Sequence, residues 1–318
     1  MRIAIIGATS QIAKDLIFSF SKFAGHDLIL FARNPEAVAA WLGTVNLADK
    51  YGAPLNYDAF GVDQHFDAVM NFVGVGNPAQ AQAMGAAIFD VTYQYDELVL
   101  NYIKQYPQCR YLFLSSGAAY GTGFNEPVDS QSKAIVPINN LQPQDWYAVA
   151  KLYAECRHRA QPQLPIIDIR VFNYVSCSQD LSARFLICDI LRAIQEGSVL
   201  ETSSIDIVRD YLHPDDFYRL VDALLSAPCT NAAVDCYSKS PISKFDLLEA
   251  AKAHFGLKYE VIQSDAGINS TGVKPHYYSK NHLAAEFGYE PEMSSIEGIV
   301  KVMKVMLSLS PVSISSDR

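Results

Sequence analysis

The sequence has 318 residues, half of them apolar and 19% charged. That suffices for one large core or two packed domains, and it excludes a disordered chain, a collagen-like repeat and a coiled coil. The formal net charge is −9 with Lys and Arg scattered, which disfavours nucleic-acid binding by phosphate neutralisation but not a locally positive pocket for a small anion.

In chain order, Arg2–Ile6, Asp27–Phe31 and residues 67–73, 110–115 and 165–171 are short apolar runs, several of them apolar on both faces. Two-sided burial is what a parallel sheet covered by helices requires. Between the first two runs, Ile12, Ala13, Leu16, Ile17, Phe20, Phe23 and Ala24 recur at helical spacing, with Gly25 placed to end the helix. The repeated strand–helix–strand rhythm predicts an α/β, doubly wound parallel sheet. The uncharged stretch 68–89 carries Asn71, Asn77, Pro78, Gln80 and Gln82, which argues against a membrane span.

Beyond about residue 175 the rhythm weakens. Helical periods are expected at 182–196, 214–225, Lys244–Phe255 and 295–307, with a surface-wrapping segment over 264–280 and a frayed Ser-rich tail. The expected division is a dinucleotide-binding unit over 1–175, joined by part of 206–228, and a smaller substrate-binding lobe over 176–318. A cleft between the two would hold ligand. The six cysteines form no CxxC and the histidines stand at no zinc-ligand spacing, so no metal is expected. The first apolar run is too short for a signal peptide. A cytoplasmic protein is expected.

Gly7-Ala8-Thr9-Ser10-Gln11-Ile12-Ala13 follows the first strand and opens the first helix. There a glycine turn offers backbone N–H groups and a helix N-terminus to a pyrophosphate. Only Gly7 of the usual three glycines is present. Ala13 is a mild change, whereas Ser10 either crowds the pyrophosphate or contacts it. Folds of this kind that prefer NAD place an acid at the end of the second strand. Here no acid lies between Leu28 and Pro35, and Arg33 stands there instead. A guanidinium there suits a 2′-phosphate, so NADP is the expected cofactor, with NAD as the alternative.

Tyr147-Ala148-Val149-Ala150-Lys151 puts a phenol and an ammonium on one helix face, which is expected to favour the phenolate. Such a phenol can exchange a proton with an alcohol oxygen while a hydride passes between the adjacent carbon and a nicotinamide. Upstream, the apolar run 111–114 enters Ser115-Ser116-Gly117-Ala118-Ala119-Tyr120-Gly121. A serine at a carboxyl strand end is placed to hold the reacting oxygen.

Together these motifs resemble the extended short-chain dehydrogenases/reductases, in the NAD-dependent epimerase/dehydratase family that modifies nucleotide sugars. The resemblance runs from the N-terminus to about residue 300. It takes in Leu114-Ser115-Ser116 with Tyr120-Gly121, Tyr147-x-x-x-Lys151 with Glu155, Arg170-Val171-Phe172-Asn173, residues 209–216 and Phe287-Gly288-Tyr289-Glu290-Pro291. It implies a Rossmann-type domain with a smaller C-terminal lobe and a catalytic set of Ser116, Tyr147 as acid/base and Lys151 as its electrostatic partner. Cofactor binding is implied for Gly7, Thr9, Ser10, Gln11, Ile12, Arg33, Gly74 and Gly76, with Tyr147 and Lys151. Substrate binding is implied for Ser116, for Asn173, and for Arg209 against the diphosphate, with an Arg209 ion pair to Asp215 or Asp216 as the alternative. The implied partner is a nucleotide-diphosphate sugar, and a homodimer is expected through residues 92–105 and 146–158. Cys177 reads as a small apolar filler rather than a sugar acid/base, and His213 as a structural hydrogen-bonder.

Departures from the family pattern narrow the reaction. Its 4,6-dehydratases resemble Thr-Asp-Glu where this chain has Ser116-Gly117-Ala118, and its 3,5-epimerase-reductases carry a cysteine at the position of Ala118. Both reactions are therefore disfavoured. The expected activity is a 4-ketoreductase acting on an NDP-4-keto-6-deoxyhexose, with an NDP-sugar 4-epimerase as one alternative. A non-catalytic NAD(P)-binding regulator is the other.

Overall fold

A computed structural model describes residues 1–23, 25–75, 78–262 and 274–309. The central sheet contains β1 (Arg2–Ile6), β2 (Asp27–Phe31), β3 (Ala68–Asn71), β4 (Arg110–Ser116), β5 (Ile166–Val171) and β6 (Ala232–Asp235). Its spatial order is β6-β5-β4-β3-β1-β2, every pair being parallel. Strand order reverses between β1 and β3, so their carboxyl ends open the crevice in which such sheets bind ligand.

The helices covering the two faces include α1 (Gln11–Lys22), α2 (Ala87–Gln105), α3 (Trp146–Arg159) and α4 (Pro214–Ser226). Alternation along β1 assigns them. Ile3 and Ile5 pack with Leu16, Ile17, Phe217 and Leu220 from α1 and α4. Ala4 and Ile6 pack with Val99, Leu100, Ile103 and Ala154 from α2 and α3. Each of these Ile, Leu, Val and Phe side chains, fully buried, contributes about 1.5–3 kcal/mol. Thus α4 and β6, late in the chain, pack on and extend this central sheet. Helices Leu186–Glu196, Lys244–Phe255 and Ser295–Leu309 enclose a separate core around Ile190, Leu248 and Ile299.

Three local expectations shift. The run 67–73 is a strand only over Ala68–Asn71, because the Asn71 side chain accepts the Val73 N–H at 2.9 Å and turns the chain. The helix expected from 182 begins at Leu186, since Asp180 accepts the Ser182 N–H and holds a turn there. The first helix ends on extended Phe23, ahead of Gly25, and Ala24 lies outside the described residues. So do most of the surface-wrapping segment and the Ser-rich tail. Residues His276–Tyr277 pair with Val208–Arg209 beside the site. Among the described residues no helix is long and apolar enough to cross a membrane, and no His, Cys, Asp or Glu group could hold a metal.

Candidate active site

The turn after β1 requires glycine at only one place. Gly7 has φ +84°, and a Cβ there would lie 2.8 Å from the Val73 nitrogen and 2.9 Å from the Phe72 carbonyl carbon. Ser10, by contrast, has φ −62°, which any residue adopts, so its departure from glycine strains nothing. Its side chain makes no cap, leaving the first-turn N–H groups of α1 open to an anion. Thr9 is exposed and Ile12 packs on the core, while the Gln11 amide donates to Ser176 Oγ at 2.9 Å. A bare helix N-terminus over a cradle that a Cβ would fill fits a dinucleotide pyrophosphate. Gly7→Ala is therefore expected to weaken dinucleotide binding at least tenfold by fluorescence titration, whereas Ser10→Gly leaves it unchanged. Equal affinities for the two variants would contradict this cradle.

Arg33 is exposed at the end of β2 and, among the described residues, meets no carboxylate. Two neighbours were not legible in the sequence. After an isolated bridge between Phe31 and Leu55, Asn56 donates to the Arg33 carbonyl, and the Tyr57 phenol lies against the backbone of Arg33 and Gly7. Burial pushes that phenol up to about 12.

At the reactive centre α3 meets the end of β4. Tyr147 and Lys151 lie one turn apart. Lys151 is buried, its Nζ donating to the Leu114 carbonyl at 2.7 Å and sitting 4.4 Å from the Phe113 ring centroid. Gly74 has φ +154°, and a Cβ on it would lie 3.4 Å from that ammonium. Gly76 falls outside the described residues. Ser116 Oγ accepts the Ala118 N–H at 3.1 Å, lies 3.4 Å from Tyr277 Oη and is hydrogen-bonded to Tyr147.

The electrostatics differ from the expected phenolate. Burial raises the Tyr147 pKa, and the Ser116 hydrogen bond offsets it only in part. The Lys151 ammonium is 5.9 Å from the Tyr147 ring centroid and is engaged by the Leu114 carbonyl. Its own pKa is lowered to about 8 by burial, against the opposing pull of Asp96, Glu155 and Asp168. Within the protein's own groups Tyr147 is therefore a neutral phenol, able to donate a proton.

A buried ionic knot supports this centre. Arg170 Nε lies 3.0 Å from each oxygen of Glu155, one turn beyond Lys151, and its Nη1 reaches Tyr120 Oη at 2.8 Å and Asp235 Oδ1 at 3.3 Å. Ser115 Oγ donates to Glu155 at 2.5 Å, while Tyr120 and Ser279 donate to Asp235 at 2.9 and 2.6 Å. Helix α3, the end of β4 and the C-terminal segment thus share one set of charges. Farther behind, His158 bridges Asp96 and Asp168 at 2.7 and 2.6 Å.

On the substrate side, the Asn173 amide donates to the carbonyls of Asp210 and Tyr277 at 3.2 and 3.3 Å, tying those segments together. Arg209 Nη1 donates to the carbonyls of Val208, Lys274 and Pro275. The alternative ion pair does not form. Asp215 pairs with Lys301, and Asp216 accepts the backbone N–H groups of Glu292 and Met293. Tyr277 and Lys274, inside a stretch read as a surface wrap, belong to this site; no periodic pattern marked them. Cys177 is exposed, its Sγ 4.0 Å from the Val302 carbonyl, so it is not a core filler. His213 Nδ1 accepts the Asp215 N–H as a helix cap, as expected of a structural hydrogen-bonder.

The comparisons agree with this architecture. A solved dTDP-glucose 4,6-dehydratase from Bacillus anthracis, in complex with NAD, superposes with TM-score 0.76 at 16% identity over 97% of each chain. UDP-glucose 4-epimerase from Thermotoga maritima, with UDP-glucose, gives 0.76 at 16% over 97% of this chain and 99% of that one. UDP-N-acetylglucosamine 4-epimerase from Methanobrevibacter ruminantium gives 0.77 at 14%, with the same coverage. At such identities the likeness shows the fold alone. No curated protein matches the sequence. The NAD dependent epimerase/dehydratase family matches residues 3–237, well over half of the sequence. The chain belongs to that family.

Proposed function

We propose that this protein exchanges a hydride and a proton at the 4-position of a nucleotide-diphosphate sugar. The observation that carries the reading is the convergence of Ser116, Tyr147 and Lys151 at the carboxyl end of β4, beside the cradle made by Gly7 and Gly74. The dinucleotide, when bound, supplies the hydride acceptor or donor. Ser116 orients the sugar oxygen, and the Tyr147 phenol gives up or regains the proton at that oxygen. Lys151 holds a positive charge behind the phenol and stabilises the phenolate once the proton has left.

Dehydration is not supported. A Cβ at Gly117 would lie 2.3 Å from Phe172 Cδ1, so no acidic side chain fits there. Two completions of the half-reaction are left. Neighbours named as 4-epimerases, several with NAD, favour an epimerase that recycles its cofactor in place. The acid-free end of β2, with Arg33 in no ion pair among the described residues, favours NADPH and a 4-ketoreductase. A homodimer belongs to the same reading: Tyr93 on α2 and Tyr153 on α3 are 46% and 51% exposed, with Arg157 over both rings.

The test is to denature freshly purified protein and identify the nucleotide released. Near-stoichiometric NAD supports the epimerase and overturns the inference from Arg33. An empty protein that binds NADPH more tightly than NADH supports the ketoreductase. Binding of neither overturns the proposal, and the NAD(P)-binding regulator with it.

A further inference from the structure

A serine hydroxyl has one proton and two lone pairs, so three hydrogen bonds saturate it. Among the described residues, Ser116 Oγ meets the Ala118 N–H at 3.1 Å, the Tyr147 phenol, and the Tyr277 phenol at 3.4 Å. The amide takes one lone pair. The two phenols take the other lone pair and the proton, whichever of them donates. No bonding direction on Ser116 is then left for a sugar oxygen, so a sugar that reacts beside Ser116 has to displace one of the three.

Their settings differ. The Ala118 N–H belongs to the turn Gly117–Tyr120 that closes β4, and Ser116 caps that turn. Tyr147 stands on α3, one turn from Lys151, and carries the proton in the reaction proposed above. Tyr277 is half-buried on the two-residue strand His276–Tyr277, 161 positions from Ser116 in the sequence. Its bond at 3.4 Å is long for two hydroxyls, whose usual separation is about 2.7–2.8 Å, so it exchanges most easily. The ring meets Phe124 at 4.7 Å and Phe172 at 5.3 Å between centroids, contacts that do not depend on the hydroxyl. The phenol oxygen also lies against the Ala118 N–H. It thus stands where the serine hydroxyl and that amide converge.

We propose that Tyr277 is a gate on the oxygen seat: its phenol holds the place on Ser116 that the reacting sugar oxygen needs, and a nucleotide sugar binds productively only by pushing it aside. The inference rests on the nucleotide-sugar reading given above. A free nucleotide diphosphate has no sugar oxygen to place there and leaves the gate shut. The sugar must exchange one hydrogen bond for another, so removing the competing hydroxyl favours the sugar and not the nucleotide.

The test compares the full chain with its Tyr277→Phe variant, which keeps the ring and its packing. Calorimetric titrations use UDP, dTDP, and UDP- and dTDP-linked hexoses and 6-deoxyhexoses. The variant is expected to bind the accepted nucleotide sugar about two- to tenfold more tightly, the worth of one neutral hydrogen bond. Its affinity for UDP and dTDP should match that of the unaltered chain. In steady state kcat/KM for that sugar should rise by the same factor through a lower KM. Weaker sugar binding or a lower kcat/KM would make the phenol a partner of the sugar and overturn the gate. Tightening of nucleotide and nucleotide sugar alike would assign the effect to the whole pocket and also overturn it. Equal sugar affinities in the two proteins overturn the gate while the nucleotide-sugar reading survives. If neither protein binds any of these sugars, that reading falls and the gate with it.

Discussion

Tyr147→Phe is expected to lower turnover by about 10²–10⁴, the usual contribution of a positioned proton donor or acceptor, while dinucleotide affinity stays unchanged. The ring remains in its packing, and only the hydroxyl hydrogen-bonded to Ser116 is lost. Lys151 keeps its bond to the Leu114 carbonyl in the variant, so the pyrophosphate cradle and the ammonium are undisturbed. Steady-state rates with the active nucleotide sugar, paired with a cofactor titration, separate the two effects. Full turnover in the variant would move the proton-transfer role to another group, and Tyr277, 3.4 Å from Ser116, would be the first to examine.

Arg170→Met is the second large effect. The substitution keeps an apolar stem but removes the cation that compensates Glu155 and Asp235, whose side chains are 4% and 0% exposed. Stranding buried carboxylates in this way costs about 3–5 kcal/mol, and the melting temperature should fall by roughly 5–7 °C in a chain of this size. Turnover should fall as well, because the same carboxylates fix Ser115, next to Ser116, and the C-terminal segment through Ser279. An unchanged melting temperature would mean that the carboxylates find protons or water, and that the knot is not what holds the site.

The knot also shows why part of the site was legible in the sequence and part was not. Ser116, Tyr147 and Lys151 stand at strand-end and i, i+4 positions, so local periodicity identifies them. The strands Arg2–Ile6 and Asp27–Phe31 and the helix Lys244–Phe255 were readable for the same reason, each with a clean apolar pattern. Asp235 reaches Arg170 across 65 positions of sequence, and Tyr277 reaches Ser116 across 161. No spacing rule spans such distances. Tyr57 escaped notice because the strand before it shrinks to the single bridge at Leu55. The expected phenolate failed for an energetic reason. Periodicity places Lys151 beside Tyr147, but it says nothing of burial, which raises the phenol more than its neighbours lower it.

The proposed hydride exchange is tested most directly with nucleotide sugars deuterated at C4. The protein is incubated with UDP- and dTDP-hexoses and 6-deoxyhexoses so labelled, with NAD⁺ or NADP⁺ supplied, while nicotinamide absorbance and the position of the deuterium are followed. The predicted result is reduced nicotinamide that carries the deuterium, transient if the cofactor is recycled and persistent if it is released. The contradicting result is a protein that binds both dinucleotide and UDP yet moves deuterium from none of these sugars.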